Sequence, residues 1–380
     1  MSRWPLLLLI SLTSACSWFD GDEETRPAEL VDIENPIRIK EIWSKDFGDG
    51  SGDIRLGLLP TVGKGKVAAA DAEGDLATGD AETGKLIWKI KTDHPFSAGP
   101  TIVDDRILIG SREGAILAFS LEDGTELWQS PVSSEVLAPP VAQDGVVVIR
   151  ALDGRIFGLD ESNGQRLWVY DRGVPILTLR GSGRPLVRAG IVFFGTDDGK
   201  VVALRIADGT VLWEQALAAS AGRTELERLV DIDGAMAIVA SELYVTGYQG
   251  RVAALAVDSG RMLWVQDMSS HQGLAVSRTQ LVVTDADSSV WALDRRSGGT
   301  MWKQDVFKNR QLTGPEIHEG YVVVGDSEGY LHWLSLEEGT QQGRVKLDSE
   351  PIHLPPLVKG DILYAMSAGG HVGAYRIVTE

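Results

Sequence analysis

The residues best suited to chemistry in this 380-residue sequence are one cysteine, six histidines and a few short clusters of aspartate. The cysteine is Cys16, and a lone cysteine excludes an intramolecular disulfide framework and a cysteine-rich zinc or iron–sulfur site. The histidines are His94, His271, His318, His332, His353 and His371. No two of them have the spacing of paired metal ligands, so the sequence predicts no metal site built on histidine.

The aspartate clusters are the remaining candidates for a metal or a reaction. Residues 231–234 and 285–287 contain carboxylates that could suggest calcium, but neither loop has the full ligand series of a calcium site. Aspartate is also common in turns, where its side chain accepts main-chain hydrogen bonds. Gly325-Asp326-Ser327 looks like a hydrolase nucleophile motif, but it falls at a turn of the repeat described below. The sequence therefore predicts no active site, no metal and no cofactor.

The first sixteen residues predict export and a lipid anchor. Arg3 precedes an apolar run from Leu6 to Leu12, and small residues follow before Cys16, which is the pattern of a cleaved secretory signal. The run is too short to cross a bilayer as a helix, which needs about 20 apolar residues. The segment resembles a bacterial lipoprotein signal, in which the cysteine becomes the acylated first residue. Ser17 in the next position implies, by the same resemblance, sorting to the outer membrane.

Residues 16–36 carry a strong excess of acidic side chains. Between Asp20 and Glu34 there are seven carboxylates and a single cation, Arg26, with no periodicity that would indicate a helix or strand. We therefore expect a signal peptide at 1–15, the acylated cysteine and an extended acidic tether at 16–36, and a folded domain at 37–380. The net charge of −18 over the whole chain argues against nucleic acid as a partner.

The folded domain is built from a repeat that is marked by glycine and tryptophan. A Gly-x-x-x-Trp unit recurs at Gly84–Trp88, Gly124–Trp128, Gly164–Trp168, Gly209–Trp213, Gly260–Trp264 and Gly298–Trp302. Ten residues before each of these glycines stands another glycine, or once Ser288, and four places after that residue stands a small side chain. A seventh copy has Gly343 in place of the tryptophan and Trp333 in place of the small residue.

Each copy has the pattern of a four-stranded antiparallel meander of about 40 residues, in which glycine closes the turns. An eighth copy begins at Gly370, and its missing strand is supplied by Glu41 to Trp43 near the start of the chain. Repeats of this length and type build propellers. The sequence predicts an all-β, eight-bladed β-propeller that is closed by its N- and C-terminal strands. We expect the tryptophans to staple neighbouring blades and the small residues to let neighbouring sheets approach.

The repeat resembles that of the propellers named after pyrroloquinoline quinone enzymes. A WD-type propeller is the alternative, but no Trp-Asp dipeptide ends the copies. Some enzymes with this repeat bind a quinone and calcium, and they often use a vicinal disulfide. The lone cysteine excludes that disulfide here, so a quinone-dependent periplasmic dehydrogenase is the weaker alternative to a non-enzymatic protein.

Two long connections between blades stand out as candidate interaction surfaces. They fall where the spacing between tryptophans grows from 40 to 45 and 51 residues. The first contains Leu177, Leu179 and Arg180, and an apolar cluster beside arginine is typical of an interface hot spot. Alternatively, the two leucines pack inward as part of a first strand. The second contains Asp231 and Asp233, and both connections join a fourth strand to the next first strand, which predicts that they share one rim.

Together these features resemble the BamB family, the propeller lipoproteins of the outer-membrane β-barrel assembly (BAM) complex. The resemblance covers essentially the whole chain and rests on the lipoprotein signal, the repeat and three motifs, at 177–181, 227–233 and 325–333. It implies a non-enzymatic scaffold that is lipid-anchored to the outer membrane, with its propeller in the periplasm. It also implies binding to the periplasmic POTRA domains of BamA, and assistance in the folding and insertion of outer-membrane proteins.

The resemblance also assigns residues. It implies that Leu177, Leu179 and Arg180 in one loop, and Asp231 and Asp233 in the other, carry the contact with BamA. An equal possibility is that the two carboxylates hold Arg180 across the two loops, because arginine and aspartate pair well. A further alternative is a holdase, which binds unfolded outer-membrane proteins by adding one of their strands to a blade.

Overall fold

The protein is a ring of β-sheets in the computed structural model, which describes residues 26–378 except 35, 53, 173–182, 218–231, 233, 248–249 and 271. Within those residues, the strands form eight four-stranded antiparallel sheets. No helix in the described part of the chain is long and apolar enough to cross a bilayer. The predicted all-β, eight-bladed propeller is confirmed.

The strands are short and follow one another at nearly regular intervals. The first sixteen are β1 (Ile39–Asp46), β2 (Thr61–Gly63), β3 (Lys66–Ala70), β4 (Asp75–Asp80), β5 (Leu86–Lys91), β6 (Phe96–Val103), β7 (Arg106–Ser111), β8 (Ala115–Ser120), β9 (Glu126–Pro131), β10 (Val141–Gln143), β11 (Val146–Arg150), β12 (Ile156–Asp160), β13 (Arg166–Tyr170), β14 (Leu186–Arg188), β15 (Ile191–Gly195) and β16 (Lys200–Arg205). The others are β17 (Val211–Ala216), β18 (Ala237–Val239), β19 (Glu242–Thr246), β20 (Arg251–Ala256), β21 (Met262–Asp267), β22 (Leu274–Val276), β23 (Gln280–Thr284), β24 (Val290–Asp294), β25 (Thr300–Gln304), β26 (Glu316–His318), β27 (Tyr321–Gly325), β28 (Tyr330–Ser335), β29 (Gln341–Lys346), β30 (Leu357–Lys359), β31 (Ile362–Met366) and β32 (His371–Ile377).

Seven blades take four consecutive strands each, and the eighth is shared by the two ends of the chain. Blade 1 consists of β2 to β5, blade 2 of β6 to β9, and so on in fours to blade 7, which consists of β26 to β29. Blade 8 has the order β1-β32-β31-β30. In it, β1 pairs antiparallel with β32 from Ile39 opposite Ile377 to Asp46 opposite His371. The predicted closure by both ends is therefore confirmed.

The tryptophans join neighbouring blades in the way the repeat predicts. In seven blades the indole Nε1 donates a hydrogen bond of 2.8 to 3.2 Å to a main-chain carbonyl of the next blade. The donors are Trp43, Trp88, Trp128, Trp168, Trp213, Trp264 and Trp302, and their acceptors are Ala81, Leu121, Glu161, Ile206, Val257, Arg295 and Leu336. We call this contact the inter-blade staple. Its bond satisfies a carbonyl that the close approach of the two sheets would otherwise leave without a partner.

The turn glycines of the repeat are explained by the same contact. Gly209 has a φ of +70°, and a Cβ on it would lie 2.9 Å from the ring of Trp168 in the preceding blade. A side chain there would be strained by its backbone and would also push the indole ring out of its place. The apolar core lies between the blades, in clusters such as the one that combines Leu76 of blade 1 with Leu117 of blade 2.

The small residues of the repeat have a different role from the predicted one. Ala203 is the cross-strand partner of Trp213, and Gly158 is that of Trp168, both within a single blade. A Cβ on Gly158 would lie only 2.1 Å from the Trp168 ring. These positions are therefore small because they make room for the tryptophan of their own blade, whereas the prediction ascribed them to contacts between blades.

The seventh copy lacks the repeat tryptophan because of the structure of blade 8, the blade that follows it in the ring. Blade 8 has no turn between β32 and β1, since these strands come from the two ends of the chain, so a tryptophan at 343 would have no turn to contact. A Cβ on Gly343 would lie 2.6 Å from Cδ1 of Ile39, which occupies that space. The buried Trp333 donates instead to His318 at 3.3 Å, and His318 bonds the Asp361 carbonyl of blade 8 at 3.0 Å.

Restoring the repeat at the seventh copy is expected to harm the protein. The Gly343→Trp variant should unfold with a free energy lower by about 2 kcal/mol or more, because the ring would displace Ile39 from a packed site. Urea unfolding followed by far-UV circular dichroism measures the change.

A second substitution toward the repeat serves as the control. Ser288 stands where the other copies have glycine and has a φ of +66°. For Ser288→Gly, relief of that backbone strain and the greater freedom of the unfolded chain oppose each other, so the change should stay within about 1 kcal/mol. A gain in stability for Gly343→Trp would contradict the packing described for β1.

Candidate interaction site

The residues predicted to carry lipid and partner lie outside the described part of the chain. They are Cys16, Leu177, Leu179, Arg180, Asp231 and Asp233. The structure does describe the strands and single residues that flank them. These flanking residues define where the two loops leave and rejoin the ring.

Both loops connect neighbouring blades on one face of the ring. Residues 171–185 link β13 of blade 3 to β14 of blade 4, and residues 217–236 link β17 of blade 4 to β18 of blade 5. Each loop therefore leaves a fourth strand and enters a first strand. Connections of that kind all emerge on the same face, because the strands of every blade alternate in direction in the same order. The sequence predicted one shared rim, and the flanking strands have that arrangement.

Ile232 attaches the second loop to the core. This side chain is only 2% exposed and belongs to an apolar cluster with Leu217 and Phe193. Gly195 makes room for it, since a Cβ on Gly195 would lie 2.1 Å from the carbonyl oxygen of Ile232. The chain is thus held against blade 4 at the point between the two aspartates of the motif.

The first loop adjoins a charged cavity of about 480 Å³ between blades 3 and 4. One wall contains an ion pair of 2.6 Å between Arg150 and Asp197, both of which are largely buried. At the edge nearest the loop, Arg172 pairs with Glu214 and lies over the Tyr170 ring at 5.8 Å. Such pairs orient side chains and charge, so the loop begins from a polar base.

Ionisation around this cavity is set by burial and by neighbouring charges. Burial, together with the nearby Glu214 carboxylate, raises the pKa of Tyr170 to about 12, so the phenol stays protonated at neutral pH. Burial also acts to raise the pKa of Asp198, but hydrogen bonds from Lys200 and Thr196 outweigh it and hold that pKa below its usual value. Neither group has a pKa near neutrality, as a general acid or base would need.

The other aspartates that the sequence singled out have structural partners. Asp285 accepts hydrogen bonds from the main chain of Asp287 and Ser289 and from the indole of Trp291. The Gly325-Asp326-Ser327 motif is at the β27–β28 turn, as predicted, and its Asp326 is bound by Arg310 and His332. Among the described residues, no three His, Cys, Asp or Glu side chains are grouped so that they could hold a metal ion.

One cluster was missed by the sequence analysis. Arg310, in the connection between blades 6 and 7, is 2% exposed and contacts Asp326 at 2.7 Å. Burial acts to lower the pKa of His332, and it outweighs the Asp326 carboxylate, which acts in the opposite direction. A neutral His332 therefore bridges Asp326 and Gln341. Little in the sequence indicates this cluster, because Arg310 lies outside the repeated positions and its partners are in the next blade of the ring.

The fold and the two loops define a class: a stapled eight-bladed propeller with its longest connections on adjacent blades of one face. A sequence profile described as outer membrane protein assembly factor BamB matches residues 40–130, 72–304 and 286–379. The protein of that name from Pseudomonas aeruginosa is 45% identical over 380 residues, which cover 99% of this chain and 100% of the relative. The one from Alkalilimnicola ehrlichii is 43% identical over 98% of this chain and 96% of its own. The chain belongs to the BamB family.

Solved structures give the same result. The crystal structure of BamB from Moraxella catarrhalis has a TM-score of 0.82 and 27% identity, and the match covers 90% of this chain and all of that one. A quinohemoprotein alcohol dehydrogenase from Comamonas testosteroni has a TM-score of 0.70 over 89% of this chain and 76% of its own. Its identity is 12%, so this second likeness shows a common fold alone.

The anchor of the second loop can be tested by trimming its side chain. Ile232→Ala should lower the free energy of unfolding by about 2 to 4 kcal/mol, because it leaves a cavity in the cluster beneath the loop. Ile232→Val, the matched control, should cost about 1 kcal/mol. Urea unfolding measures both, and equal stability of the alanine variant and the parent would contradict burial of this residue.

Proposed function

We propose that the chain is a non-enzymatic scaffold lipoprotein of the outer-membrane β-barrel assembly machinery. In this proposal it binds the POTRA domains of BamA within the BAM complex and thereby assists the folding and insertion of outer-membrane proteins. The observation that carries the proposal is the placement of two long loops on adjacent blades of one face, in a chain whose relatives are named outer membrane protein assembly factors.

The proposed contact has an apolar centre and a charged border. Leu177 and Leu179 would bury against BamA, and Arg180 would donate hydrogen bonds at the edge of the contact. Buried apolar side chains next to arginine are typical of the few residues that dominate an interface. The ion pairs at the start of the first loop support this assignment, because they hold the point from which the loop leaves blade 3.

Asp231 and Asp233 have two possible parts in this contact. They either meet the partner directly or hold Arg180 in place. The burial of Ile232 between them supports both, since it fixes the chain at this point. The two possibilities differ in whether the aspartates still matter once Arg180 is removed.

Membrane attachment is proposed at the start of the chain. Residues 1–15 would be removed as a signal peptide, and Cys16 would carry the acyl chains that hold the protein at the outer membrane, with the propeller in the periplasm. Two or more acyl chains suffice for stable attachment, since each buried methylene contributes about 0.8 kcal/mol. The names of the relatives support association with the outer membrane.

The proposal assigns no reaction to the protein. Quinone-dependent dehydrogenases share the fold at 12% identity, and a shared fold does not carry a function. The quinone alternative is therefore not favoured. Assistance to outer-membrane proteins would come through BamA, and we do not propose a strand-adding holdase.

The interface can be tested by a double substitution in the first loop. The Leu177→Ala, Arg180→Ala variant should bind the purified POTRA domains of BamA at least about 30-fold more weakly, which corresponds to about 2 kcal/mol. The matched control, Leu127→Ala with Arg205→Ala, removes exposed side chains of other strands and should bind like the parent. Isothermal titration measures both, and unchanged binding by the first variant would refute the site.

The role of the aspartates follows from a cycle on the same proteins. Asp231→Asn with Asp233→Asn should weaken binding in the parent. If the aspartates act by holding Arg180, the same change should have no further effect once Arg180→Ala is present. An equal loss in both backgrounds would indicate direct contact with BamA.

The lipid anchor can be tested at Cys16. The Cys16→Ser variant should lack the acyl mass of the mature protein, and it should no longer be cleaved as a lipoprotein. Membrane fractionation and intact mass spectrometry report the two effects, and Ser17→Ala is the control that keeps the acylated residue. An unchanged mass and distribution for Cys16→Ser would rule out acylation at this position.

A further inference from the structure

The described end of the acidic segment is bound to the propeller. The main-chain nitrogen of Ala28 donates to the Lys308 carbonyl at 2.9 Å, in the connection between blades 6 and 7. Asn309 Nδ2 donates to the carbonyl of Arg26 at 3.2 Å. The segment is thus fixed by hydrogen bonds from both its own backbone and the ring.

The central contact comes from the buried cluster around Arg310. Its Nη1 donates to the Ala28 carbonyl at 2.6 Å, while Asp326 and Glu328 hold the same guanidinium group. A buried arginine that is fixed by two carboxylates and lies 5.9 Å from the Tyr330 ring is a rigid donor. Part of this cluster therefore serves to hold a segment more than 280 residues away in the sequence.

The chain then follows the outer edge of blade 7 to the closing strand. Arg344 Nη1 donates to the Val31 carbonyl at 3.1 Å, and the nitrogen of Ile37 donates to the Gln342 carbonyl of β29 at 2.8 Å. β29 is the fourth strand of blade 7, so this is its open side. The segment thus covers the one outer edge whose strand has glycine in place of the repeat tryptophan.

Charge favours the same placement. Residues 20–34 contain seven carboxylates and one cation, whereas the edge of blade 7 carries Lys308, Arg344 and Lys346. The last two lie over the ring of Tyr330, at 5.9 and 4.8 Å from its centre. Opposite charges attract even near a protein surface, and the attraction falls as salt is added.

We propose that residues 26–37 form a strap, which fastens the membrane tether to blade 7 and sets how the ring faces the membrane. The membrane part rests on the lipid anchor proposed above. About a dozen residues separate Cys16 from Ala28, which span at most roughly 40 Å, against roughly 80 Å if the chain were free up to β1. The strap thus halves the reach of the propeller.

The strap also relates the membrane to the proposed partner loops. Lys308 and Arg310 lie in a connection from a fourth strand to a first strand, so the strap begins on the face that carries the two loops. Blade 7, however, is opposite blade 3 in a ring of eight. The anchored edge would lie beside the membrane, and the loops of blades 3 to 5 would project at the far side of the ring toward BamA.

The docking of the strap can be tested by cross-linking in the full lipoprotein, whose own cysteine would be blocked by acylation. Ala28→Cys with Lys308→Cys should be joined by a short bismaleimide, as read by mass spectrometry of its peptides. The control pair is Ala28→Cys with Glu73→Cys. Glu73 is exposed in the β3–β4 turn of blade 1, the other neighbour of blade 8, and this turn is on the same face of the ring as Lys308.

If the segment before β1 were free, it would reach blades 1 and 7 equally often. The strap instead predicts at least ten-fold more cross-linked product for the Ala28–Lys308 pair than for the Ala28–Glu73 pair. Equal yields for the two pairs would overturn the docking. This arm needs no membrane, and mass spectrometry of the linked peptides distinguishes a link to Cys16 from a link between the introduced cysteines, so it reports on the strap whether or not Cys16 is acylated.

The orientation is tested on vesicles of phosphatidylethanolamine and phosphatidylglycerol that contain a lipid with a nitroxide headgroup. A fluorophore on Lys308→Cys should be quenched at least two-fold more than one on Glu113→Cys, an exposed position of blade 2 across the ring. Equal quenching would overturn the orientation. A protein that cross-links but does not bind vesicles would contradict the lipid anchor and leave the docked strap supported.

Discussion

The ring depends on one contact that is repeated from blade to blade, the indole of a fourth-strand tryptophan against the turn of the next blade. Its hydrogen bond satisfies a carbonyl, its ring fills the gap between two sheets, and the turn must be glycine because the ring lies within 3 Å of where a Cβ would be. The three requirements hold together. A larger residue at the turn would displace the ring and thereby break the bond, which explains why the tryptophans and the glycines recur in step.

The seam between blades 7 and 8 shows what happens when one requirement is removed. Blade 8 lacks the turn because its outer strand comes from the other end of the chain, and the tryptophan of blade 7 is accordingly absent. Trp333 moves to the third strand and reaches blade 8 through His318, while Ile39 fills the vacated space. The sequence repeat therefore lacks its tryptophan at the seam where blade 8 has no turn for an indole ring to contact.

The fold could be predicted from the sequence because each part of this contact is a residue type at a fixed spacing. The exact role of the small residues could not be predicted from the sequence. A small residue that faces Trp168 across two strands of its own blade and a small residue that contacts the next blade would produce the same sequence pattern. The Arg310 cluster was also beyond prediction, because Arg310, Asp326 and Ala28 are joined only by the folded ring. The candidate loops were recognised by their length and composition, because both can be read from a short stretch of sequence without knowledge of the fold.

Closure by the two termini has a consequence for the order of events during folding. A chain is made from its N-terminus, so β1 exists long before β32, the strand it must pair with. Blades 1 to 7 can each form from consecutive strands as soon as those strands are available. Blade 8 cannot form until β32 has been made, and contacts between such distant segments form slowly. A chain that ended before β32 would therefore leave β1 unpaired and the ring open.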